Sequence, residues 1–411
     1  GSPDKGGRRW ALPQMADASA AAPAAKPQAG KKGKKAKNGD PSAERTLGKP
    51  VGHDPNISPF KHLPRSPLFE QCYRGALIPE DEWEPFMEAL GRDLPVTFRF
   101  AGAHPLSAML AAHMEREFLA GGALDPGEEF LASLAEGAGA SAVEGARRKE
   151  PLAPFAWLPG AWRLDIPKAV LRKAPGPKRL HGFMKRCVTL GVISRQEAVS
   201  MVPCTLLGGG AGLRVLDVCA SPGMKTLQLM DAAGAAPAPR DGVSAAEVLG
   251  GGAVVSNELD GRRCCMLAHH VLRVRHPAGL CIHHDATALP ALGGAFDRVL
   301  CDVPCSGDGT IRKAPQLLAG WRPNRANALH ALQLRIACAG AVQLAVGGRM
   351  VYSTCALSPV EDEAVVAALL LRAGGALELV DVDTELDAQT LPRRPGLEHW
   401  EVPAGARRCK T

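Results

Sequence analysis

Two cysteines occupy positions where thiol chemistry is expected. Cys305 lies in the segment DVPCSG and Cys355 ends the segment YSTC, and each segment follows an apolar run that predicts a strand. A lone cysteine is most often a small buried apolar residue. Two cysteines at the ends of adjacent strands, one of them after Asp-x-Pro, instead indicate reactive thiols at a shared site.

A loop of small residues earlier in the chain predicts a ligand site. It follows the first strand of a predicted sheet and consists of Cys219, Ala220, Ser221, Pro222, Gly223, Met224 and Lys225. A turn of small residues that opens a helix lets the backbone approach a ligand closely and presents free N–H groups. The loop has neither the GxxxxGK[ST] nor the GxGxxG pattern, which disfavours ATP and nicotinamide cofactors.

Three carboxylates follow the other predicted strands of the same sheet. Glu258 comes after the second strand, Asp285 after the third and Asp302 after the fourth. A carboxylate after the second strand can accept hydrogen bonds from both ribose hydroxyls, as in dinucleotide-binding folds. A single acid in such a place is more often a turn or cap residue, but three in register beyond one small-residue loop favour a nucleoside cofactor.

The elements that must position these residues alternate between strand and helix. Apolar runs predict strands at Leu213–Val218, Ala253–Asn257, Leu280–His284, Asp297–Cys301, Met350–Ser353 and, last, Leu377–Val382. Periodic stretches between them predict helices at Thr226–Ala233, Asp260–Val274, Arg325–Ala345 and Val360–Arg372. The alternation predicts an α/β fold with a parallel sheet covered on both faces, in which ligands bind beyond the carboxyl ends of the strands.

A smaller region of mixed α and β structure is predicted upstream. Its elements are a helix at Pro79–Leu90, a strand at Val96–Phe100 and a helix at Leu106–Leu119. Gly121–Glu150 is rich in Gly, Ala and Glu, which predicts a loop or a poorly ordered insertion. Ser194–Glu197 matches a capping box, which predicts that a helix begins there and stops by Pro203.

Basic residues are interleaved with apolar ones across Pro167–Arg186. The segment contains Lys168, Arg172, Lys173, Lys178, Arg179, Lys185 and Arg186. Two interpretations of this pattern are open. The segment is either a surface that faces phosphates or a solvated helix face.

Composition and charge limit the class of protein. The chain has 411 residues, of which 46% are hydrophobic, and contains no long uncharged apolar run, so no membrane span is expected. Its 12 cysteines are dispersed without a CxxC pattern, which favours reduced thiols and no metal site. The net charge of +7 lies in the first 50 residues. We expect this Lys-rich tail to be disordered; it is a nuclear-import signal, a phosphate-binding arm or a merely solubilising tail.

The motifs resemble those of the Nop/Sun-domain RNA cytosine-5 methyltransferases, especially the eukaryotic branch that modifies several tRNA positions. The resemblance covers Pro167–Leu379 most strongly and is carried by ISRQEAVSMVP, the segment Leu216–Leu229, FDRVLCDVPCSGDGTIRK and GGRMVYSTCALSPVEDEAV. It implies a Rossmann-like S-adenosylmethionine methyltransferase sheet with a smaller N-terminal α+β RNA-binding region. Expected domains are a basic tail at 1–49, the N-terminal region at 50–165 with an insertion near 121–150, the catalytic domain at 166–385 and a C-terminal segment at 386–411.

The resemblance also implies a role for each site residue. Cys355 would be the nucleophile that adds to the cytosine ring, and Cys305 would assist release of the product. Asp302 would hold the base near N3 and N4, and Lys225 would hold the base or its carbonyl. Cys219, Ala220, Ser221, Pro222, Gly223, Met224, Lys225, Glu258, Asp285 and Asp302 would bind S-adenosylmethionine.

Several alternatives remain open beside methylation of tRNA. The same chemistry acts on rRNA or mRNA in other enzymes of this kind, and a DNA cytosine methyltransferase would use the Pro-Cys thiol as nucleophile. A non-catalytic RNA-binding scaffold would retain the fold without the reaction. We expect RNA as the partner, and neither a metal nor a membrane. The protein is expected to be a monomer in the nucleus or nucleolus, with the cytoplasm as the alternative location.

Overall fold

The computed structural model of the protein describes residues 63–119, 121–138, 150–233, 252–274, 276–383, 385, 391–404 and 407–410. The basic tail at 1–49 lies outside these residues, so its predicted disorder stays a prediction. Every helix within the described ranges is too short or too polar to cross a bilayer. The same ranges contain no cluster of three or more His, Cys, Asp or Glu side chains arranged to hold a metal ion.

A four-stranded antiparallel sheet forms the smaller, N-terminal part of the protein. Its strands are β1 (Val96–Phe100), β2 (Leu152–Pro154), β3 (Ala161–Leu164) and β4 (Ile193–Arg195), in the spatial order β2-β3-β1-β4. Its helices are α1 (Pro67–Tyr73), α2 (Trp83–Gly91), α3 (Ser107–Phe118), α4 (Glu128–Ala138), α5 (Lys168–Lys173) and α6 (Pro175–Thr189). The predicted elements at Pro79–Leu90, Val96–Phe100 and Leu106–Leu119 are therefore confirmed.

The core of this smaller part includes residues that were expected in the catalytic domain. Leu171 of α5 and Leu180 and Phe183 of α6 pack in the same buried cluster as Phe98 of β1. The sheet is completed by β4, which pairs with β1 almost a hundred residues earlier in the chain. The predicted boundary at 165/166 thus falls inside this region, because pairing with a distant strand leaves no signal in the local sequence.

A five-stranded parallel sheet carries the predicted site. Its strands are β5 (Arg214–Asp217), β6 (Ala253–Asn257), β7 (Gly279–Ile282), β8 (Phe296–Asp302) and β9 (Leu344–Ser353), in the order β7-β6-β5-β8-β9. All four pairings are parallel, as predicted. The helices are α7 (Ala198–Leu207), α8 (Met224–Ala232), α9 (Gly261–Arg273), α10 (Gln316–Ala319), α11 (Pro323–Gln343) and α12 (Glu363–Ala373), and the hairpin β10 (Glu401–Ala404) and β11 (Arg407–Lys410) follows.

The capping-box prediction at Ser194–Glu197 is wrong. Ser194 lies in β4 opposite Arg99, so its backbone is extended and its side chain is buried. The helix begins four residues later, at Ala198, and continues past Pro203 to Leu207. Tertiary pairing with β1 therefore outweighs the local capping preference. Pro203 lies inside α7 and does not end the helix.

Two further predictions are corrected. The stretch Gly121–Glu150 is not simply a loop, because α4 lies within it. Glu128 and Glu129 stand in the first turn of α4, where acidic side chains complement the helix dipole, and Leu131 packs in the core. Leu377–Val382 forms no strand. Leu379 and Val380 are 72% and 50% exposed, so the run has no buried face that strand pairing would cover.

Gly340 of α11 provides a test of how tightly this helix packs on the sheet. A Cβ atom at this position would lie 2.6 Å from the Sγ of buried Cys301. We expect Gly340→Ala to lower the free energy of unfolding by about 1–3 kcal/mol, because overpacking outweighs the gain in helix propensity.

Gly182 of α6 is the matched control, because its added Cβ would meet only the flexible end of Arg186, at 3.6 Å. Gly182→Ala should raise stability by about 0.5–1 kcal/mol. Denaturant unfolding of both variants measures the two effects. An unchanged or raised stability of Gly340→Ala would contradict the close packing.

Candidate active site

The two predicted thiols meet beyond the carboxyl ends of β8 and β9. Asp302, the last residue of β8, pairs with Ser353, the last residue of β9, so both chains leave the sheet at the same edge. The Sγ atoms of Cys305 and Cys355 lie 3.1 Å apart, and both cysteines are free. The backbone N–H of Cys355 also donates to the Sγ of Cys305, at 3.3 Å. The prediction that the two thiols share one site is confirmed.

The hydrogen bond between the sulfurs makes the two thiols chemically different. The Cys305 thiol donates to the sulfur of Cys355 and lowers the pKa of Cys355 to about 7, with further lowering by the charges of Lys225 and Lys313. Burial and the carboxylate of Asp302 oppose this change. The same bond, together with burial, raises the pKa of Cys305. The direction of these shifts favours Cys355 as the thiolate of the pair and Cys305 as the protonated thiol.

Asp302 and Lys225 form an ion pair beside the thiols. The Nζ of Lys225 donates to Oδ2 of Asp302 at 2.8 Å, and the Oγ of Ser353 donates to Oδ1 at 2.8 Å. The side chain of Asp302 is 30% exposed and that of Lys225 is 15% exposed. The pair is fixed at the edge of the sheet and remains open to a ligand that approaches Cys355.

A buried carboxylate that sequence reasoning missed holds the loop of Cys305. Glu361 is fully buried and accepts hydrogen bonds from the backbone N–H and the hydroxyl of Ser306, the residue after Cys305. It also accepts from Nε2 of Gln333 on α11, at 2.9 Å. The available signal was its place, six residues after Cys355 in the segment SPVED. Acids in such segments usually cap helices, so the sequence did not reveal its burial.

A second buried carboxylate, Asp308, joins the two cysteine loops to the N-terminal part. Its Oδ2 accepts from the hydroxyl of Tyr73 on α1 at 2.6 Å and from Nε1 of Trp321 at 3.0 Å. Its Oδ1 accepts from the backbone N–H of Leu357, at 2.7 Å. Next to it, Gly309 donates its N–H to the carbonyl of Cys355 at 3.0 Å, and a Cβ there would lie 2.7 Å from that oxygen. The separation of the thiols is therefore set by buried polar contacts.

Lys313 is a further site residue that was not predicted. It forms an ion pair with Glu197, and its charge acts on the thiol of Cys355. Burial lowers the pKa of its ammonium group. Its position at the end of FDRVLCDVPCSGDGTIRK was the only signal in the sequence.

The predicted cofactor loop lies between β5 and α8, as expected. Gly223 is the N-cap of α8 and has a φ of 106°, and a Cβ there would lie 2.9 Å from a Cδ atom of Leu267. Ala220 donates its N–H to the carbonyl of Asn257 at 2.8 Å, which ties the loop to the end of β6. Cys219 and Met224 pack against the core on either side of the loop, and burial raises the pKa of Cys219. Glycine is required at 223 for both conformation and space.

The three predicted carboxylates lie at or just beyond the carboxyl ends of their strands, but they differ in partners. Glu258 is buried, accepts from the N–H of Asp260 at 2.9 Å and lies 3.3 Å from the guanidinium of Arg263. Asp285 is exposed, and its Oδ1 accepts from the N–H and hydroxyl of Thr287, which lower its pKa. Asp285 therefore also acts as a turn cap. Asp302 pairs with Lys225, as described above.

The donor set around the loop fits a nucleoside cofactor. Asp217, at the end of β5, is almost completely buried, and burial raises its pKa to about 7. Its Oδ2 accepts from the hydroxyl of Thr226 at 2.7 Å, and the backbone N–H of Cys219 also stabilises the carboxylate. Asp217 therefore holds the start of the loop from inside the protein. The carboxylates of Glu258 and Asp302, at the ends of the neighbouring strands, offer acceptors to a polar ligand beside the glycine loop.

Comparison with known proteins agrees with this geometry. Residues 205–394 match the family model described as 16S rRNA methyltransferase RsmB/F. The chain is 36% identical over 368 residues to the tRNA (cytosine(34)-C(5))-methyltransferase of Drosophila melanogaster, covering 86% of this chain and 46% of that protein. It is 38% identical over 357 residues to the multisite-specific tRNA:(cytosine-C5)-methyltransferase trm4b of Schizosaccharomyces pombe, covering 81% of this chain and 49% of that protein. The chain thus spans about half the length of these relatives.

A solved structure confirms the fold class. The crystal structure of PH0851 superposes with a TM-score of 0.53 over 74% of this chain and 56% of that one, at 22% identity. At this identity the similarity shows the fold alone. The expected Rossmann-like sheet is confirmed by this similarity and by the strand order.

The low pKa of Cys355 can be measured by alkylation. Iodoacetamide should modify Cys355 half-maximally near pH 7, because only the thiolate reacts. Removing the positive charge in Lys225→Met should raise the pKa and slow modification at pH 7 by roughly 3- to 10-fold. Mass spectrometry of the Cys355 peptide measures the rate, with exposed Cys265 as the internal reference. Lys178→Met is the control, and an equal effect of both variants would contradict the assignment.

Proposed function

We propose that the chain transfers a methyl group from S-adenosylmethionine to C5 of cytosine in tRNA. Residues 205–394 match the RsmB/F methyltransferase family model, and the chain is similar to two tRNA cytosine-C5 methyltransferases. The observation that carries the proposal is the thiol pair, with a nucleophilic sulfur whose pKa is about 7 held 3.1 Å from a protonated one. The relatives named as tRNA cytosine-C5 methyltransferases support tRNA as the substrate class.

Two thiols match the two stages of this reaction. C5 of an aromatic cytosine is a poor nucleophile. Addition of the Cys355 thiolate forms a C6–S bond and leaves the electron pair on C5, which then bonds to the methyl carbon as the methyl–sulfonium bond breaks. Loss of the C5 proton returns its electron pair to the ring, and the C6–S bond breaks to release Cys355 as a thiolate. Cys305 lies within hydrogen-bond distance of the departing sulfur and assists this release.

The residues beside the thiols hold the target base. Asp302 accepts from the edge of the cytosine near N3 and N4, and Lys225 binds the base or its carbonyl. Both are preorganised by their mutual ion pair and by Ser353. The target base has to leave its stack to reach them, as in other enzymes that act on nucleobases.

The cofactor is S-adenosylmethionine, which supplies an electrophilic methyl group on sulfonium sulfur. Glu258 would accept from the ribose hydroxyls, and the loop Cys219–Lys225 would bind the remainder of the cofactor. Asp285 and Asp302 complete the set of acids at this edge.

Methylation of rRNA is the second candidate, since the matching family model is described by a 16S rRNA methyltransferase. The chemistry at Cys355 is the same, and only the RNA that reaches it differs. Assays on unmodified tRNA and on rRNA, read by bisulfite sequencing, separate the two candidates. Methylation of neither RNA by protein that binds S-adenosylmethionine would contradict the proposed function.

Substitution of each thiol tests the assigned roles. Cys355→Ala should abolish methylation, because it removes the sulfur assigned to add to C6. Cys305→Ala should retain the addition step but accumulate a covalent RNA–protein adduct, which denaturing gel electrophoresis detects. The reversed pattern, with adduct lost in the Cys305 variant and activity kept in the Cys355 variant, would assign the nucleophile to Cys305.

Glu361 should affect the same release step through the loop that it holds. Glu361→Ala leaves the N–H of Ser306 without its acceptor and removes one of the two acceptors of the Gln333 amide, a loss of about 1–3 kcal/mol. Cys305 should then shift from its position beside Cys355. This shift should lower turnover by roughly 10- to 100-fold and increase the fraction of enzyme trapped as adduct.

Glu361→Gln keeps an acceptor oxygen and should partly restore turnover. Glu363→Gln is the control, because Glu363 accepts only from the N–H of Leu397 near the surface. A variant Glu361→Ala that melts normally and turns over like wild type would show that Glu361 does not position Cys305.

A further inference from the structure

Four basic side chains from three separate segments converge on one surface beside the catalytic part. Arg172 belongs to α5, His181 and Lys185 lie one turn apart on α6, and Arg195 ends β4. We call these four residues the α6 basic cluster. Partial burial lowers the pKa of His181, and the positive charges of Lys185, Arg195 and Arg172 lower it further. All three cations are therefore close enough to His181 to act on it.

The cations of the α6 basic cluster have no acidic partner among the described residues. Among the residues that the structure describes, no carboxylate lies within 4 Å of Arg172, Lys185 or Arg195, whereas arginines elsewhere on the surface, such as Arg74 and Arg349, pair with glutamates. A solvated helix face normally carries charges of both signs at i and i+4. The unpaired charge on this surface therefore favours the phosphate-facing interpretation of the Pro167–Arg186 segment.

The cluster is presented by a rigid face. Leu180 and Phe183 of α6 are buried in the core beneath it, while Arg172, Lys185 and Arg195 are exposed. Because the helix is anchored on its apolar side, the backbone positions of Arg172 and Lys185 are held relative to the core. A polyanion with regularly spaced charges would bind to this surface with little loss of conformational freedom in the protein backbone.

The cluster is also connected, through neighbouring residues, to the surroundings of the nucleophile. Arg195 stands two residues before Glu197, a separation of about 7 Å along an extended chain, and Glu197 forms an ion pair with Lys313. The charge of Lys313 in turn acts on Cys355. Arg195 is therefore connected to the surroundings of Cys355 through Glu197 and Lys313.

We propose that the α6 basic cluster binds phosphates of the RNA strand that flanks the target cytidine. The proposal rests on the proposed function, and it names the surface along which the substrate approaches the site. Phosphate contacts provide much of the affinity of RNA-binding proteins, and the low aromatic content of 4% leaves few side chains for base stacking.

The test compares two matched double variants of the full chain. Arg172→Gln/Lys185→Gln removes two charges from the cluster, and Arg116→Gln/Arg372→Gln removes two exposed charges from α3 and α12. Binding of an unmodified tRNA transcript is measured over a range of KCl concentrations. The cluster variant should bind roughly 10-fold more weakly, and its log–log salt slope should fall by about 1.5. Its KM for tRNA should rise while kcat stays unchanged, and the control variant should resemble wild type.

The outcomes distinguish the surface from the function. If the cluster variant and the control bind tRNA equally well and still methylate it, the surface is not used and the proposed function stands. If wild-type protein neither binds nor methylates tRNA or rRNA, both proposals are overturned. Arg195→Gln lies outside α6 and gives an independent measure, with an expected loss of tRNA affinity of roughly threefold. A fall in kcat at unchanged KM would also overturn the proposal.

Discussion

One hydrogen bond, between the sulfurs of Cys305 and Cys355, decides how this site can react. Alone, two thiols at ordinary pKa would both be mostly protonated and equivalent. At 3.1 Å the two sulfurs share a hydrogen bond, and the charges of Lys225 and Lys313 favour negative charge on Cys355. The nucleophile and the proton donor are thus assigned by position alone. The arrangement depends on distance, since a weaker hydrogen bond would let both thiols return toward their ordinary pKa.

The surrounding structure serves to keep that distance. Register between β8 and β9 aligns Asp302 with Ser353, so the two loops begin side by side. Beyond the sheet, Glu361 and Asp308 each gather several donors, which is the condition under which a carboxylate can be buried at acceptable cost. Glu361 joins the Cys305 loop to α11, and Asp308 joins it to the chain after Cys355. The two buried acids therefore hold in place loops that have no regular secondary structure.

The parts of the fold that the sequence predicted are those with a local signature. Alternating strands and helices, the glycine loop and the thiols at strand ends all follow from patterns within a few residues. Glu361 and Asp308 could not be found in this way, because their meaning comes from partners elsewhere; Tyr73 is 235 residues from Asp308. The errors have the same cause. Ser194 has the sequence of a helix cap but pairs with β1, and Leu377–Val382 has the composition of a strand but no neighbour to cover it.

A buried polar network connects the surface that we assign to the substrate with the catalytic sheet. Arg99 of β1 donates to the side-chain oxygen of Gln196 at 3.0 Å and pairs with Asp231 of α8. Gln196 in turn donates to Gln228 of α8, at 2.8 Å. Buried ion pairs add little net stability, because desolvation offsets their attraction, but removing one partner is costly. The network therefore acts mainly on geometry. It holds β4, and with it Arg195, in register with the helix that follows the cofactor loop, so that an RNA strand bound on one part would present its base to a thiol on the other.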